Sequence, residues 1–445
     1  MPVDAVSVQD QVVRAARAQG VDEVEAILST SNQALTRFAN NAIHQNVAEL
    51  SSQLSVRARI EGRTARASTN RLDPAGIREV VEQAIAITRL TEPDEESLPM
   101  AEPAEYRTVD RWSGPTAYIT PHERASTVAR AIAAVESAGQ VAAGIYSTDD
   151  TEYTLLNSRG VHAHYCETMA RFSITAMATG SSGWAKASDY SHWDIEPLEL
   201  ALSALSKARQ SSAPRELPAG RYTVILEPAA VLDLVGQMFG DFSATAISDG
   251  RSFLNDRIGK KIFGTNITVH DDAWHPLQSG APFDGEGVPR QRLTLVENGV
   301  VRDIAYCRQA AAKAGVMPTG HGFPLPNEFG EAPANIVIAG GDSSVEKMIA
   351  STERGILVTR LWYIREVDPY EKIFTGMTRD GTFLVEGGQV TAGVRNFRFN
   401  QGLMEMLSNV EALGPAVRAS GEETFDMVVP AMLIRDFNFT EVTRF

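Results

Sequence analysis

The sequence predicts an α+β fold. In the first half, stretches of alternating apolar and polar residues, typical of strands, are mixed with four stretches that have the period of amphipathic helices. In the second half, strand-like stretches predominate and turn-forming pairs separate them. The chain has 445 residues, 43% hydrophobic and 22% charged, a composition typical of a globular protein. Its length suggests two to four domains and is compatible with two large ones.

Residues typical of helix N-termini indicate where two helices of the first half begin. Asp73 and Pro74 are an N-cap and a first helical residue, and Thr120 and Glu123 form a capping-box pattern. We predict helices at residues 7–18, from 74 onwards, 121–138 and 197–210. We predict strands at residues 24–28, 33–38, 50–60, 64–68, 144–148, 153–157 and 161–179. The first half is therefore predicted to be a mixed sheet with long helices.

Residue pairs typical of hairpin turns separate the predicted strands of the second half. Asn298-Gly299 and Asp380-Gly381 each separate two strand-like stretches, and Gly387-Gly388 marks a further turn. We predict strands at residues 222–226, 293–296, 300–306, 373–377, 382–386, 425–429 and 432–437. We predict helices at residues 228–239, 343–351 and 400–413.

A polar segment with two prolines, residues 211–220, lies between a predicted helix and a new strand. We therefore expect an N-terminal α+β domain over residues 1–212 and a C-terminal β-rich domain over residues 218–445.

Composition restricts the location and the partners. The formal charge of −15 and the lack of a Lys/Arg block argue against nucleic-acid binding. No run of about 18 apolar residues is present, and the first twenty residues do not have the pattern of a signal peptide. Two cysteines, Cys166 and Cys307, do not form a disulfide framework. We expect a cytoplasmic protein that does not bind a membrane.

Metal ligands are sparse in the sequence, which contains eight histidines but no HExxH or CxxC motif. His162, His164 and Cys166 share one face of a strand, but the outer pair lies about 13 Å apart, so a polar exposed face is the favoured interpretation. His270 and His275 lie in a loop with no ligand spacing, which again favours a structural role. Cys307 has apolar neighbours and is interpreted as a small buried residue.

Five segments, in this order along the chain, resemble the TldD/PmbA family. They are residues 36–45 (TRFANNAIHQ), 282–288 (PFDGEGV), 295–300 (LVENGV), 319–322 (TGHG) and 375–383 (TGMTRDGTF). The resemblance extends over nearly the whole chain. It implies an N-terminal α+β domain, a C-terminal domain of curved antiparallel sheets, and paired subunits around an enclosed cavity.

One branch of this family, TldD, carries HExxxH on a helix near the start of the C-terminal domain. Its histidines and a later cysteine bind zinc, and its glutamate is the general base. The matching helix here, residues 230–240 (AVLDLVGQMFG), contains neither His nor Glu, and Asp233 is its only acidic residue. The chain therefore resembles the PmbA/TldE-like branch. We expect no catalytic residue and no metal ligand in this chain, and zinc in a TldD-like partner.

The resembling segments also supply candidate residues for substrate binding. In the first segment these are Arg37, Asn40, Asn41 and His44, although a hairpin with Asn in left-handed turn positions explains the same pattern. In the later segments they are Asp284, Glu286 and His321. Glycines on both sides of His321 permit close approach of a ligand but are equally typical of plain turns. The glycines beside Asp284 and Glu286 favour a loop-shaping role for these two carboxylates.

Three functional hypotheses follow. In the first, the chain is a non-catalytic subunit that completes a chamber for unfolded or leader peptides. Its partner is a TldD-like HExxxH subunit or a second copy of itself. In the second, it is a self-sufficient metallohydrolase that uses one of the histidine clusters. In the third, it binds peptides without proteolysis. In each case a peptide can add as a strand to a sheet edge, next to aromatic residues that include Phe283, Trp362, Tyr363 and Phe383.

Overall fold

The computed structural model describes residues 5–443 and confirms the α+β class. The helices are α1 (Ala5–Ala18), α2 (Pro74–Leu90), α3 (Gly114–Ala117), α4 (Pro121–Ser137), α5 (Pro197–Gln210), α6 (Pro228–Val235), α7 (Ala244–Ser248), α8 (Arg308–Ala314), α9 (Val345–Ser351) and α10 (Leu403–Ser408). Two 3₁₀ turns span His192–Asp194 and Gly236–Asp241. No helix within residues 5–443 is long and apolar enough to cross a bilayer.

The strands form three sheets. In the first half they are β1 (Glu23–Ala39), β2 (Ala42–Ile60), β3 (Arg63–Thr69), β4 (Val141–Asn157), β5 (His162–Ala178) and β6 (Ser181–Asp189). In the second half they are β7 (Gly220–Leu226), β8 (Val269–Asp271), β9 (Leu293–Glu297), β10 (Val300–Val301), β11 (Ile336–Ile338), β12 (Arg354–Asp368), β13 (Ile373–Glu386), β14 (Gln389–Gly393), β15 (Phe397–Gly402), β16 (Val410–Leu413), β17 (Val417–Ala419), β18 (Met427–Val429) and β19 (Met432–Val442).

The first sheet has the order β3-β2-β1-β4-β5-β6 and every neighbouring pair is antiparallel. Asn40 and Asn41 join β1 to β2 with φ angles of 50° and 59°, the left-handed conformation that a tight hairpin requires. We expected a mixed sheet here, with parallel as well as antiparallel pairs, and this was wrong. The parallel pairs, β12–β7 and β11–β18, are in the second half.

The two faces of the first sheet have different neighbours. Side chains alternate across a strand, and the even-numbered residues of β1, such as Val24 and Phe38, face two pairs of helices. The pair α1 and α2 covers one end of this face, and the pair α4 and α5 covers the other. The odd-numbered Ile27 packs on the opposite face against Phe283 of the second half. The second half therefore docks on the face that the helices leave free.

The second half contains two sheets around the largest apolar core. One has the order β10-β9-β8-β11-β18-β17. The other has the order β12-β7-β19-β15-β13-β14, and an additional pairing of β12 with β13 closes it into a partial barrel. The expected curved antiparallel sheets are thus confirmed, each with one parallel pair. Helix α6 follows β7 directly and is buried over residues 230–235.

Several predicted boundaries were wrong. The strand predicted at residues 50–60 begins at Ala42, and the strand predicted at residues 300–306 ends at Val301. The strands predicted at residues 24–28 and 33–38 are one strand, β1, and those predicted at 144–148 and 153–157 are likewise one strand, β4. Polar residues in their middles suggested breaks, but both strands stay paired throughout because each has a neighbouring strand on both sides. The helix predicted at 228–239 ends as an α-helix at Val235 and continues as a 3₁₀ turn.

The predicted hairpin at Asp380-Gly381 is a bulge within β13. Val358 pairs with Thr382, whereas Arg360 pairs with Arg379, so two residues of β13 are inserted opposite one residue of β12. The φ angles of Asp380 and Gly381 are 52° and 140°. The carboxylate of Asp380 bonds to the guanidinium of Arg360, which is buried, and this ion pair stabilises the bulge.

The helix predicted over residues 400–413 was wrong in most of its length. Its first residues belong to β15, only Leu403–Ser408 are helical, and Val410–Leu413 form β16. Pairing with β19 on both sides of α10 overrides the apolar period of this stretch.

The N-cap of α2 supplies a stability test. The carboxylate of Asp73 accepts hydrogen bonds from the N–H groups of Ala75 and Gly76, both at 3.0 Å. We expect Asp73→Ala to lower the free energy of unfolding by about 1 kcal/mol, because two N–H groups lose their acceptor. Urea denaturation measures this change. The control Glu82→Ala, at an exposed position on the same helix, should leave stability nearly unchanged. Equal stability of both variants would contradict the role of the cap.

Candidate functional site

Helix α6 is the helix that the family resemblance aligns with a zinc-binding motif. It starts at Pro228 immediately after β7, and all its residues from Ala230 to Val235 are buried. Asp233 is therefore a fully buried carboxylate, 0% exposed. A buried carboxylate needs partners, and those of Asp233 come from the segment at residues 421–424, which we call the α6 loop.

The contacts between Asp233 and the α6 loop are specific. Oδ1 of Asp233 accepts the N–H groups of Glu422 at 3.0 Å and of Glu423 at 2.9 Å. Oδ2 of Asp233 is buried and has no hydrogen-bond partner. Burial raises the pKa of Asp233 to about 6 although the two backbone hydrogen bonds lower it. The hydroxyl of Thr424 donates to the carbonyl of Leu232 at 3.2 Å, which adds a third hydrogen bond between loop and helix.

The residues at α6 do not fit a zinc ion. A protein zinc site needs three or four side-chain ligands, and α6 offers only Asp233, one of whose oxygens is already bound to two N–H groups. The loop also fills the space in front of the helix. A Cβ atom added to Gly421 would lie 2.1 Å from Oδ1 of Asp233, and one added to Gly236 would lie 2.6 Å from Oγ1 of Thr424.

The α6 loop borders a cleft of about 550 Å³ beside the first sheet. Lys186 of β6 reaches the loop and lies 3.2 Å from Glu422. The cleft is further lined by Arg171, Arg290, Phe425 and Asp426. Charged side chains of both signs and an exposed aromatic ring thus line the cleft.

The two histidine clusters occupy ordinary structural positions. His162 and His164 are exposed on β5, and Nδ1 of His164 lies 3.0 Å from the hydroxyl of Thr154. Nδ1 of His275 accepts the N–H of Leu277 at 3.3 Å. Burial lowers the pKa of both His270 and His275. Across residues 5–443, no group of three or more His, Cys, Asp or Glu side chains is arranged to hold a metal ion.

Asp284 and Glu286 lie together in a buried loop, each 3% exposed. Asp284 accepts the N–H groups of Glu286 at 2.9 Å and of Gly322 at 2.7 Å. Glu286 accepts the N–H of Arg308 at 2.8 Å. Burial and the neighbouring charge of Asp284 raise the pKa of Glu286 to about 7, and burial raises the pKa of Asp284 as well. The two carboxyls thus organise the loop, and their substrate-binding role stays a prediction.

His321 belongs to the same part of the structure. Its Nε2 lies 3.2 Å from Oδ1 of the buried Asp271, and its Nδ1 lies 3.0 Å from the hydroxyl of Thr319. Burial raises the pKa of Asp271, but the charge of His321 and further hydrogen bonds outweigh burial and lower it to about 2. Because His321 is only 2% exposed, a ligand could contact it only after a rearrangement.

Cys307 is buried, 7% exposed. Its N–H donates to Glu331 at 3.1 Å, and burial raises the pKa of its thiol to about 12. A thiol of this kind is a poor nucleophile at neutral pH.

Arg37, Asn40, Asn41 and His44 lie at the other end of the first sheet. Asn41 bonds to the backbone of Gln140 and Ala142, and His44 is the extra residue of a β-bulge in β2. Glu25, near the other end of β1, lies close to Glu286 because both act on Arg57. Phe38 is thirteen residues further along β1, a distance of roughly 43 Å at about 3.3 Å per residue. The structure therefore brings Asp284, Glu286 and His321 together but places the first four candidates far from them.

The sequence did not predict a buried cluster of charged side chains next to Glu286. Glu25, 1% exposed, accepts hydrogen bonds from Arg57 at 2.8 Å and from Arg66 at 2.6 Å. Burial raises the pKa of Glu25, but the two guanidinium groups outweigh it and the pKa is lowered. The charge of Glu286 acts on Arg57 from the second half. Three charged residues spaced along strands carry no motif, so no sequence signal pointed to this cluster.

The aromatic residues proposed to line peptide pockets separate into two groups. Phe283 and Phe383 are core residues, 2% and 1% exposed. Trp362 is half-buried, and Tyr363 is 52% exposed beside the α6 loop. Only the second pair is available to a ligand.

Comparison with known proteins identifies relatives over most of the chain. Residues 24–88, 115–211 and 219–441 match three models, which describe domain 1, the central domain and the C-terminal domain of PmbA/TldA metallopeptidases. A metalloprotease of Methanothermobacter thermautotrophicus is 25% identical over 78% of each chain. Metalloprotease PmbA of Escherichia coli O157:H7 is 24% identical over 84% of this chain and 83% of its own.

A solved structure has the same fold. TldE from Thermococcus kodakarensis superposes with a TM-score of 0.88 at 20% identity, and the match covers 97% of this chain and all of TldE.

The contact between Asp233 and the α6 loop can be tested by substitution. We expect Asp233→Ala to lower the free energy of unfolding by about 2 kcal/mol, because two partly buried N–H groups lose their acceptor. Asp233→Asn should cost less, since the amide oxygen can accept both bonds. Urea denaturation gives the values, with exposed Asp342→Ala as the control. Wild-type stability of Asp233→Ala would show that other contacts hold the loop.

The carboxyl of Glu286 predicts a pH dependence of stability. Its pKa in the folded chain is about 7 and its ordinary value is 4.5, so the folded chain holds a proton that the unfolded chain has released. The free energy of unfolding therefore falls as pH rises through this interval. The free energy of unfolding of Glu286→Gln, measured relative to wild type, should therefore rise by about 1–3 kcal/mol from pH 5 to pH 8. Unfolding at both pH values tests this, with exposed Glu136→Gln as the control. If the free energies of unfolding of Glu286→Gln and wild type differ by the same amount at pH 5 and pH 8, this prediction is wrong.

Proposed function

This chain belongs to the TldD/PmbA family of metallopeptidases, and we propose on that premise that it is the non-catalytic subunit of a two-subunit peptidase. In this proposal it completes the substrate chamber. A TldD-like partner carries HExxxH, binds the zinc ion and supplies the general base. The substrate is an unfolded or leader peptide that reaches the zinc ion of the partner across the surface of this chain.

One observation carries the proposal. The helix that would hold the metal motif has no histidine, and its one carboxylate binds the backbone of the α6 loop instead of facing an open site. A chain with this helix can keep the family's scaffold and its peptide-binding surface without the reaction centre. The likeness to TldE supports the proposal at the level of the fold, which matches over 97% of this chain.

The sheets offer a way to bind an extended peptide. β12 pairs with β13 along its whole length, but with β7 only from Ile356 to Val358. Beyond Val358, β12 has no second neighbouring strand within residues 5–443. Residues 359–361 of this stretch are buried and helix α6 contacts the strand, whereas residues 365–367 are exposed. An extended peptide can pair with such an edge through main-chain hydrogen bonds, which need no particular sequence. The edge runs next to the α6 loop, where Tyr363 bonds to Glu423.

Reconstitution tests this proposal. The chain is purified alone and together with an HExxxH-bearing homologue from the same source, and cleavage of an unfolded peptide is followed by mass spectrometry. We expect cleavage by the pair, its loss with a chelator, and no cleavage by this chain alone. The control is a pair in which the motif glutamate of the partner is replaced by Gln, which should assemble without activity.

Two outcomes would overturn the proposal. Chelator-sensitive cleavage by the isolated chain would show that it has a reaction centre of its own. Full activity of the homologue without this chain, together with failure of the two to co-purify, would show that it is not a subunit of the peptidase.

A further inference from the structure

Tyr363 has a backbone conformation that its side chain disfavours. Its φ angle is +56°, and among residues 5–443 it is the only aromatic residue with a positive φ. The left-handed region suits Gly and is tolerated by Asn and Asp, but a bulky side chain there is strained. Such strain persists only where the surrounding structure enforces it, and it is concentrated at functional sites.

A bulge and a carboxylate enforce this conformation. Trp362 pairs with Met377 and Arg365 pairs with Thr375, so Tyr363 and Ile364 are two residues opposite one. Ile364 is buried, 4% exposed, and anchors the bulge in the core. The N–H of Tyr363 does not join the ladder to β13 but donates to Oε1 of Glu423 at 2.7 Å.

Glu423 is in turn positioned by helix α6. Its own N–H donates to Oδ1 of Asp233 at 2.9 Å, and its side chain is only 13% exposed. A chain of hydrogen bonds thus leads from the helix that lacks the metal motif, through the α6 loop, to the backbone of Tyr363.

This arrangement keeps an aromatic ring at the surface. Tyr363 is 52% exposed, so its strain is not offset by burial of the ring. The guanidinium of Arg365 lies 4.5 Å from the ring centroid and orients the ring. The adjacent Trp362 packs against Arg360 at 5.4 Å and Arg379 at 4.9 Å. Arg365 therefore holds the ring of Tyr363 at the part of β12 that has no second neighbouring strand.

We propose that Tyr363 is a specificity residue whose ring binds an aromatic or large apolar side chain of an extended peptide lying along the edge of β12. The inference rests on the proposed function and adds a preference among peptides. Alternate side chains of a strand face one side about 7 Å apart, so one peptide side chain in two can reach the ring. Glu423 and Asp233 act as positioning residues for this contact.

The test uses two labelled, unstructured peptides of about twelve residues, which extend over roughly 40 Å. One contains a central Phe, and the other has Ser in its place. Binding to the chain, alone and with the HExxxH partner, is measured by fluorescence anisotropy. The variants are Tyr363→Asn, which tolerates the backbone angle but lacks the ring, and Tyr363→Phe, which keeps the ring. Tyr370→Ala removes an exposed tyrosine that follows the same strand and is the matched control.

We expect Tyr363→Asn to raise the Kd for the Phe peptide about five- to tenfold and the Kd for the Ser peptide less than twofold. Tyr363→Phe and Tyr370→Ala should bind both peptides within about twofold of wild type. The thermal midpoint of Tyr363→Asn should equal or exceed that of wild type, because the strain at residue 363 is relieved.

The outcomes separate this inference from the proposed function. If wild type binds both peptides and Tyr363→Asn binds the Phe peptide equally well, the role of Tyr363 is overturned and the subunit proposal stands. Equal weakening for both peptides together with a lower thermal midpoint would show a purely structural role and also overturn it. If wild type binds neither peptide, alone or with the partner, the proposed function fails and this inference fails with it.

Discussion

The contact between the carboxylate of Asp233 and two backbone N–H groups of the α6 loop determines the shape of this part of the molecule. Asp233 is fully buried, so it must have hydrogen-bond partners, and the loop supplies them. The loop then covers the helix where a metal motif would face a substrate, and it carries Glu423 to the backbone of Tyr363. One acidic residue on α6 thereby holds the loop over the helix and connects it to the backbone of β12.

A second constraint joins the two halves of the chain. The odd-numbered face of β1 carries Glu25 and Ile27, and the second half docks there through the loop that contains Phe283 and Glu286. Apolar packing and a buried cluster of charged residues act together at this junction. Tyr106 adds a hydrogen bond from its hydroxyl to the carbonyl of Gly287 at 2.8 Å. Protonation of Glu286 therefore influences the contact between the halves as well as the loop itself.

Elements with local signals could be predicted from the sequence, and elements that depend on distant partners could not. The capping box at Thr120 and the turn at Asn298-Gly299 need only neighbouring residues, and both are present as expected. The bulge at Asp380-Gly381 has the composition of a hairpin turn, but pairing with β12 and the buried Arg360 decides otherwise.

In the candidate site, too, local motifs could be predicted from the sequence and contacts between distant residues could not. Motif resemblance pointed to Asp284, Glu286 and His321, which do share one buried region, but the sequence could not show that Arg37 lies at the far end of the sheet. The absence of histidine from α6 was readable in the sequence. The partners of Asp233 lie some 190 residues further along the chain and carry no motif, so their role emerged only from the structure.

The most direct test of the account is anomalous diffraction at the zinc absorption edge from crystals of this chain in complex with an HExxxH-bearing partner. The account predicts a zinc peak whose ligands, at about 2.0–2.3 Å, all come from the partner, with helix α6 of this chain still covered by the α6 loop. A zinc peak bonded to a side chain of residues 230–241 of this chain would contradict it.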